Sequence, residues 1–142
     1  MPAAPTHPSF VKTVTVGAGV IDGNGHVNNV AYVQWMQDIA IEHFSLLGGP
    51  GEMGDDLTWV AAEHKIRYLA PALEGDVIEI RTWVAEMRRV RSIRRYEFLR
   101  PADNKLLVRG ETQWAVVDTK TGAPRQIPPA ISRIFTASAV EG

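Results

Sequence analysis

The clearest periodic signal in the chain is helical, and it runs from about Asn29 to Leu47. Val33, Met36, Ala40, Phe44 and Leu47 recur at three- and four-residue spacing and form one apolar stripe, while Gln34, Gln37, Asp38 and Glu42 supply polar surface. Asn28 stands where an N-cap belongs, and Gly48-Gly49-Pro50 is a stop signal. Such a helix is about 28 Å long at 1.5 Å per residue.

Before it, Phe10 to Val16 (FVKTVTV) is rich in β-branched residues and ends at Gly17-Ala18-Gly19, which predicts a first strand. After it, Pro50 to Asp56 (PGEMGDD) is read as a loop, and the apolar period then changes to two. Val60, Ala62, His64, Ile66 and Tyr68 are assigned to one face of a second strand that ends at Pro71 to Gly75. Ile78, Ile80, Thr82 and Val84 form the inward set of a third, and Ser92 to Arg100 a fourth with Tyr96 and Phe98 as packing residues. Asp103-Asn104 is a turn signal, and Leu106 to Val117 is a long last strand with Leu106, Val108, Thr112, Trp114 and Val116 on one face. The tail from Ile127 is read as one short helix. Strand, helix, then four strands joined by short connections is an α+β order and implies an antiparallel sheet, five- to six-stranded, about one long central helix.

Composition narrows the function classes. A chain of 142 residues is the size of one domain, and the pattern divides it into a flexible arm (1–9), a folded domain (10–136) and a tail (137–142). The arm lacks the basic start and apolar stretch of a secretory signal, and no apolar run reaches the roughly 20 residues of a membrane helix, so a cytoplasmic protein is expected. A net charge of −1 gives no global pull on nucleic acid or anionic membrane. Without cysteine the chain has no disulfide, no thiolate metal site and no cysteine nucleophile. No metal and no cofactor is expected.

Chemistry concentrates in Asp22-Gly23-Asn24-Gly25-His26-Val27-Asn28-Asn29-Val30-Ala31-Tyr32. A carboxylate, an imidazole and several amides meet the approach to a helix N-terminus, where unpaired N–H groups can donate to an oxyanion. The two glycines let backbone approach a ligand closely.

This window, DGNGHVNNVAYVQW, resembles the Asp-x-x-Gly-His-Val-Asn-Asn junction of the 4-hydroxybenzoyl-CoA thioesterase-like hotdog family. Asp22, Asn24 and His26 also resemble the Asp-x-Asn-x-His motif of acyl-carrier-protein thioesterases. The likeness continues in KIRYLAPALEGD (65–76) and WAVVDTKTGAPRQIP (114–128).

The resemblance implies a hotdog fold, a homodimer or homotetramer with active sites shared between subunits, and hydrolysis of an acyl-CoA or acyl-carrier-protein thioester. It makes Asp22 the nucleophile or the general base that activates water. Asn29 then supplies a backbone N–H to the carbonyl oxygen, while Asn24 and His26 orient the reacting groups. Val27, Asn28 and Tyr32 are candidate substrate contacts, with Trp35 and Met36 as further pocket or core residues. Asn28 also reads as a helix cap, Tyr32 as core, Glu63 as an exposed or interface strand residue and His64 as a hydrogen-bonded sheet histidine.

The run from Arg88 to Arg95 holds five arginines in eight residues. It reads either as a solvated hairpin or as a landing site for CoA phosphates or an acidic carrier, with Arg91 and Arg94 as candidate contacts. Two competing functions share the hotdog fold: an enoyl-thioester hydratase or dehydratase, and a non-catalytic acyl-CoA-binding module. The Gly-His-Val-Asn-Asn run favours hydrolysis over the first, and the absence of a helix-turn-helix weakens a regulatory version of the second.

Overall fold

The computed structural model describes residues 9–141, with side chains through Phe135; the expected arm before Ser9 lies outside the described residues. Strand β1 (Ser9–Thr15) is followed by a 3-10 turn (Ala18–Val20), helix α1 (Asn29–Leu46) and a short helix α2 (Gly49–Met53). Then come β2 (Leu57–Tyr68), β3 (Val77–Met87), β4 (Arg91–Arg100), β5 (Lys105–Asp118), β6 (Pro124–Arg125) and α3 (Pro129–Glu141).

All pairings are antiparallel, in the order β1-β3-β4-β5-β2, with β6 added to β5. The β1–α1–β2 connection therefore crosses the whole sheet, and β1 and β2 become its two edges. Ala31, Tyr32, Met36, Ile39 and Ala40 of α1 pack with Ile78 and Ile80 of β3, Tyr96 and Phe98 of β4, and Leu107 and Val108 of β5. Burying a Met or Ile of this set stabilises the fold by about 1.5–3 kcal/mol each. A second cluster joins Met53 of α2 and Ile131 and Phe135 of α3 to Val84 and Val116.

The buried face of α1 is rotated from the expected stripe. Ile39 and His43 are buried beside Met36 and Ala40, whereas Val33, Phe44 and Leu47 are half-buried and the last two belong to the second cluster. A helix facing two clusters carries apolar residues on more than one side, so the stripe alone does not set its phase. Val30, Ile41 and Leu46 are left 77%, 54% and 67% exposed, which marks a further apolar face.

Two bulges correct the strand readings. A register shift between Ala61 and Glu63 switches the phase of β2, so Leu57 and Trp59 are half-buried before it while Val60 is 40% exposed. Another, between Phe98 and Leu99, places Leu107 as well as Val108 in the core and leaves Leu106 half-buried. The stretch expected as a loop, Pro50 to Asp56, holds all of α2 but its first residue, Gly49: Pro50 lies in its first turn, with Glu52 beside it. The Asp103-Asn104 signal is a real turn, with Asn104 at φ +55°.

Candidate active site

The Asp22 loop is a closed turn fixed at both ends. Ile21 bridges Val27, and the Asp22 N–H donates to the His26 carbonyl at 2.8 Å. Gly25 sits at φ +77°, a left-handed conformation that glycine adopts without a Cβ clash, and its N–H donates to the Asp22 carbonyl at 3.0 Å. The Asp22 carboxylate closes the turn from inside: Oδ1 accepts from the Asn24 N–H at 2.8 Å and the His26 N–H at 3.4 Å. Asn24 and His26 therefore hold Asp22 through backbone amides, where the sequence pointed to their side chains. Asp22, Asn24 and His26 are all exposed.

Asn28 ties this turn to α1. Its Oδ1 caps the helix by accepting from the Ala31 N–H at 2.8 Å, while its Nδ2 and backbone N–H both donate to the Val20 carbonyl, at 3.0 and 2.8 Å. The cap satisfies Ala31 and leaves the N–H groups of Asn29 and Val30, at the exposed first turn, without a protein partner among the described residues. Val27 is buried, and its N–H donates to the Ala72 carbonyl at 2.9 Å, which locks the loop to the β2–β3 connection.

Tyr32, Trp35 and Met36 pack in the core. The Tyr32 ring is edge-on to Trp35, Tyr68 and Phe98, and burial above all, with Tyr68 and Asp76 adding to it, pushes its phenol up to about 12. Nearby, Arg100 forks onto Asp103 at 3.0 and 2.8 Å and reaches Asp76 at 3.0 Å.

The arginine run divides into two environments. Arg88, Arg89, Arg91 and Arg95 are exposed; Arg88 pairs with Glu86, Arg95 with Glu111, and Arg91 reaches Gln113. Arg94 corrects the surface reading: strand alternation sets it on the inner face with Ser92, Tyr96 and Phe98, and it is 4% exposed. Its Nη1 donates to Nδ1 of His43 at 2.9 Å and to Oγ1 of Thr82 at 3.1 Å. Burial lowers its pKa to about 10, so it remains a cation at neutral pH, and burial plus the Arg94 charge push His43 down to about 4. Sequence reasoning placed Thr82 inward without a role and missed His43, although His43 lies four residues after Ile39 on the buried face of α1. Glu63 is exposed beside Lys65, and His64 Nδ1 lies 2.9 Å from Thr112 Oγ1.

Arg94 borders a pocket of about 270 Å³ whose walls include Ile41 and Phe44 of α1, Trp59 of β2, Trp114 of β5 and Phe135 of α3. Among the described residues no His, Asp and Glu side chains group as metal ligands, and no helix is long and apolar enough to cross a membrane.

Comparison with known proteins decides the family, because a model of the thioesterase-like superfamily matches residues 16–135. The chain belongs to the thioesterase-like superfamily. Thioester hydrolysis is the reaction of that superfamily, and the match spans the Asp22 turn, α1 and every strand from β2 to β6. No curated protein sequence matches the chain. Among solved structures, Slr0204 from Synechocystis, a 1,4-dihydroxy-2-naphthoyl-CoA thioesterase, is 18% identical with a TM-score of 0.79, covering 89% of this chain and 95% of its own. A DHNA-CoA thioesterase from Staphylococcus aureus is also 18% identical, with a TM-score of 0.81 and coverage of 94% and 91%. The Dynemicin thioesterase, described with polyene bound, is 22% identical with a TM-score of 0.78 and coverage of 93% and 97%. These likenesses give the thioesterase-like chain the hotdog fold.

Proposed function

We propose that this thioesterase hydrolyses an acyl-CoA or acyl-carrier-protein thioester to a free acid and a thiol, with Asp22 as nucleophile or general base. The observation that carries this is the placement of Asp22 in a rigid turn two residues before which Val20 receives Asn28, the cap of α1. A fixed carboxylate and the unpaired N–H groups of Asn29 and Val30 thus belong to one short unit. A carboxylate that attacks carbon, or takes a proton from water, drives negative charge onto the thioester oxygen. A helix N-terminal N–H such as that of Asn29 stabilises that charge, and one such donor is worth about 2.7–4 kcal/mol.

In this reading Asn24 and His26 form the exposed Asp-x-Asn-x-His surface that orients the carbonyl or the water. Val27, Asn28 and Tyr32 support the wall behind it, Arg91 meets the phosphates of the carrier, and α1 is the central helix around which the sheet curls. Reaction of two similar structures with an aromatic acyl-CoA supports CoA as the carrier. The exposed edge of the 12-residue β2 and the exposed Val30, Ile41 and Val60 support a homodimer or homotetramer with shared sites.

The test is Asp22→Asn. The amide oxygen still accepts from the Asn24 N–H, so the turn survives while the charge and basicity are lost. Thiol release from an acyl-CoA panel should fall by about 10²–10⁴-fold at unchanged thermal stability. Near-normal turnover would move the chemistry away from Asp22, and hydration of an enoyl-CoA without thiol release would replace hydrolysis by a hydratase.

A further inference from the structure

Arg94 is a buried cation with no acid beside it. Among the described residues every ion pair joins other side chains. Nη1 is held by His43 and Thr82, and the ring of Phe135 lies 5.6 Å from the guanidinium carbon. Nε and Nη2 have no protein partner among the described residues. Taking a guanidinium out of water costs several kcal/mol, and a neutral imidazole, a hydroxyl and a ring face return only part of it.

The unpaired edge has a definite chemistry. Nε and Nη2 lie along one edge of the planar guanidinium, and their two parallel N–H groups match the two oxygens of a carboxylate. Arg94 also lines the pocket, where among the described residues it is the one charged side chain beside apolar walls and the polar Gln37, Ser45, Thr58 and Ser92. Trp114 lines the same wall. At about 30 Å³ per water, the pocket has room for roughly nine waters, hence for an acyl group of about that many heavy atoms.

We propose that this pocket receives the acyl group of the thioester and that Arg94 selects acyl groups ending in a carboxylate, as in the mono-thioester of a short dicarboxylic acid. The inference rests on the thioesterase reading of Asp22. An uncharged alkyl chain of equal length fills the same apolar walls but strips the guanidinium of water and gives back no acceptor.

The test compares adipoyl-CoA with hexanoyl-CoA, followed by thiol release, in the wild type and in Arg94→Met. Methionine removes the buried charge while keeping an unbranched apolar side chain, a replacement that folds often tolerate. The wild type should prefer adipoyl-CoA in kcat/KM by about 10²-fold or more, and R94M should lose or invert that preference while hydrolysing hexanoyl-CoA at least as well. A wild type that favours hexanoyl-CoA, or an R94M loss equal on both substrates, overturns the proposal. If R94M does not fold, the wild-type preference decides alone. Binding separates this inference from the catalytic reading. If no thioester is cleaved, a thermal upshift by free adipate, absent with hexanoate and abolished in R94M, still upholds the carboxylate site. Equal shifts with both acids, or none with adipate, refute it.

Discussion

Acidification should act on this fold through one imidazole. His43 is 3% exposed, stacked on Phe10 at 5.6 Å, and it accepts the Arg94 Nη1–H through Nδ1. Only the neutral ring has that lone pair. Burial first, and the adjacent Arg94 charge second, push the pKa of His43 from 6.5 to about 4. In the unfolded chain it titrates near the ordinary value, so between these two pH values the unfolded state binds more protons than the native one. The stabilisation is therefore complete above about pH 6.5 and is lost as pH falls toward 4. At 1.36 kcal/mol per unit the loss is about 3 kcal/mol, a large share of the 5–15 kcal/mol that holds a typical domain.

Urea denaturation at a series of pH values from 7.5 to 4 measures this, with His43→Gln as the reference. Glutamine presents an amide oxygen to Arg94 and does not titrate. Carboxylates whose pKa is lowered in the fold, Asp103 by Arg100 and Asp118 by the Thr121 and Lys120 backbone N–H groups, lose stability in acid too. They do so in both proteins and cancel in the difference. The wild type should lose about 3 kcal/mol more than H43Q across the window. Parallel curves, or a His43 imidazole resonance that titrates near 6.5, would refute the assignment.

Asn28→Ala removes the bonds to Ala31 and Val20 and should cost about 2 kcal/mol in urea denaturation, with Asn28→Asp between, because it keeps the cap and loses the Nδ2 donor. A change under about 0.5 kcal/mol would mean that the cap does not fix the helix start. Gly110→Val should destabilise by about 1–3 kcal/mol, since even a Cβ there meets Met36 Sδ at 2.9 Å and the Tyr96 ring at 3.3 Å; an unshifted thermal midpoint would show that α1 can move away from β5. With sites shared across a homodimer, as proposed, mixing unfolded D22N and R94M chains and refolding them together should restore adipoyl-CoA hydrolysis to about a quarter of wild type, because half the dimers then hold one site with both residues intact. His43 lies fourteen residues along α1 from Asn29, about 21 Å at 1.5 Å per residue, so one chain's Asp22 is too far from its own Arg94 for a short acyl group. No restoration on mixing would refute a site shared between chains and, with it, the pairing of Arg94 with Asp22 on one acyl group.

What the sequence made legible is what depends on neighbours along the chain. The start of α1 was readable because Asn28 caps it by bonding three residues ahead, and the Asp22 turn because its carboxylate closes onto residues two and four positions later. The phase of β2 was not, since the bulge at Ala61 and Glu63 follows from pairing with β5, fifty residues away, and Val60 and Ala62 look equally apolar on either side of it. The pocket lay further out of reach, because α1, α2, β2, β3, β4, β5 and α3 each lend it a wall.

Arg94 falls between these cases. Tyr96 and Phe98 already fixed the inward phase of β4, and that phase includes position 94, so alternation alone predicted a buried arginine. Alternation does separate Arg94 from Arg91 and Arg95, but keeping it with Arg91 as a candidate phosphate contact hid that it faces the interior. In a half-buried strand, phase outranks residue type: the pleat dictates which way a side chain points, and a charge on the wrong face must be explained by what answers it. Here the described residues answer one of the three guanidinium nitrogens, and the proposed acyl carboxylate answers the other two.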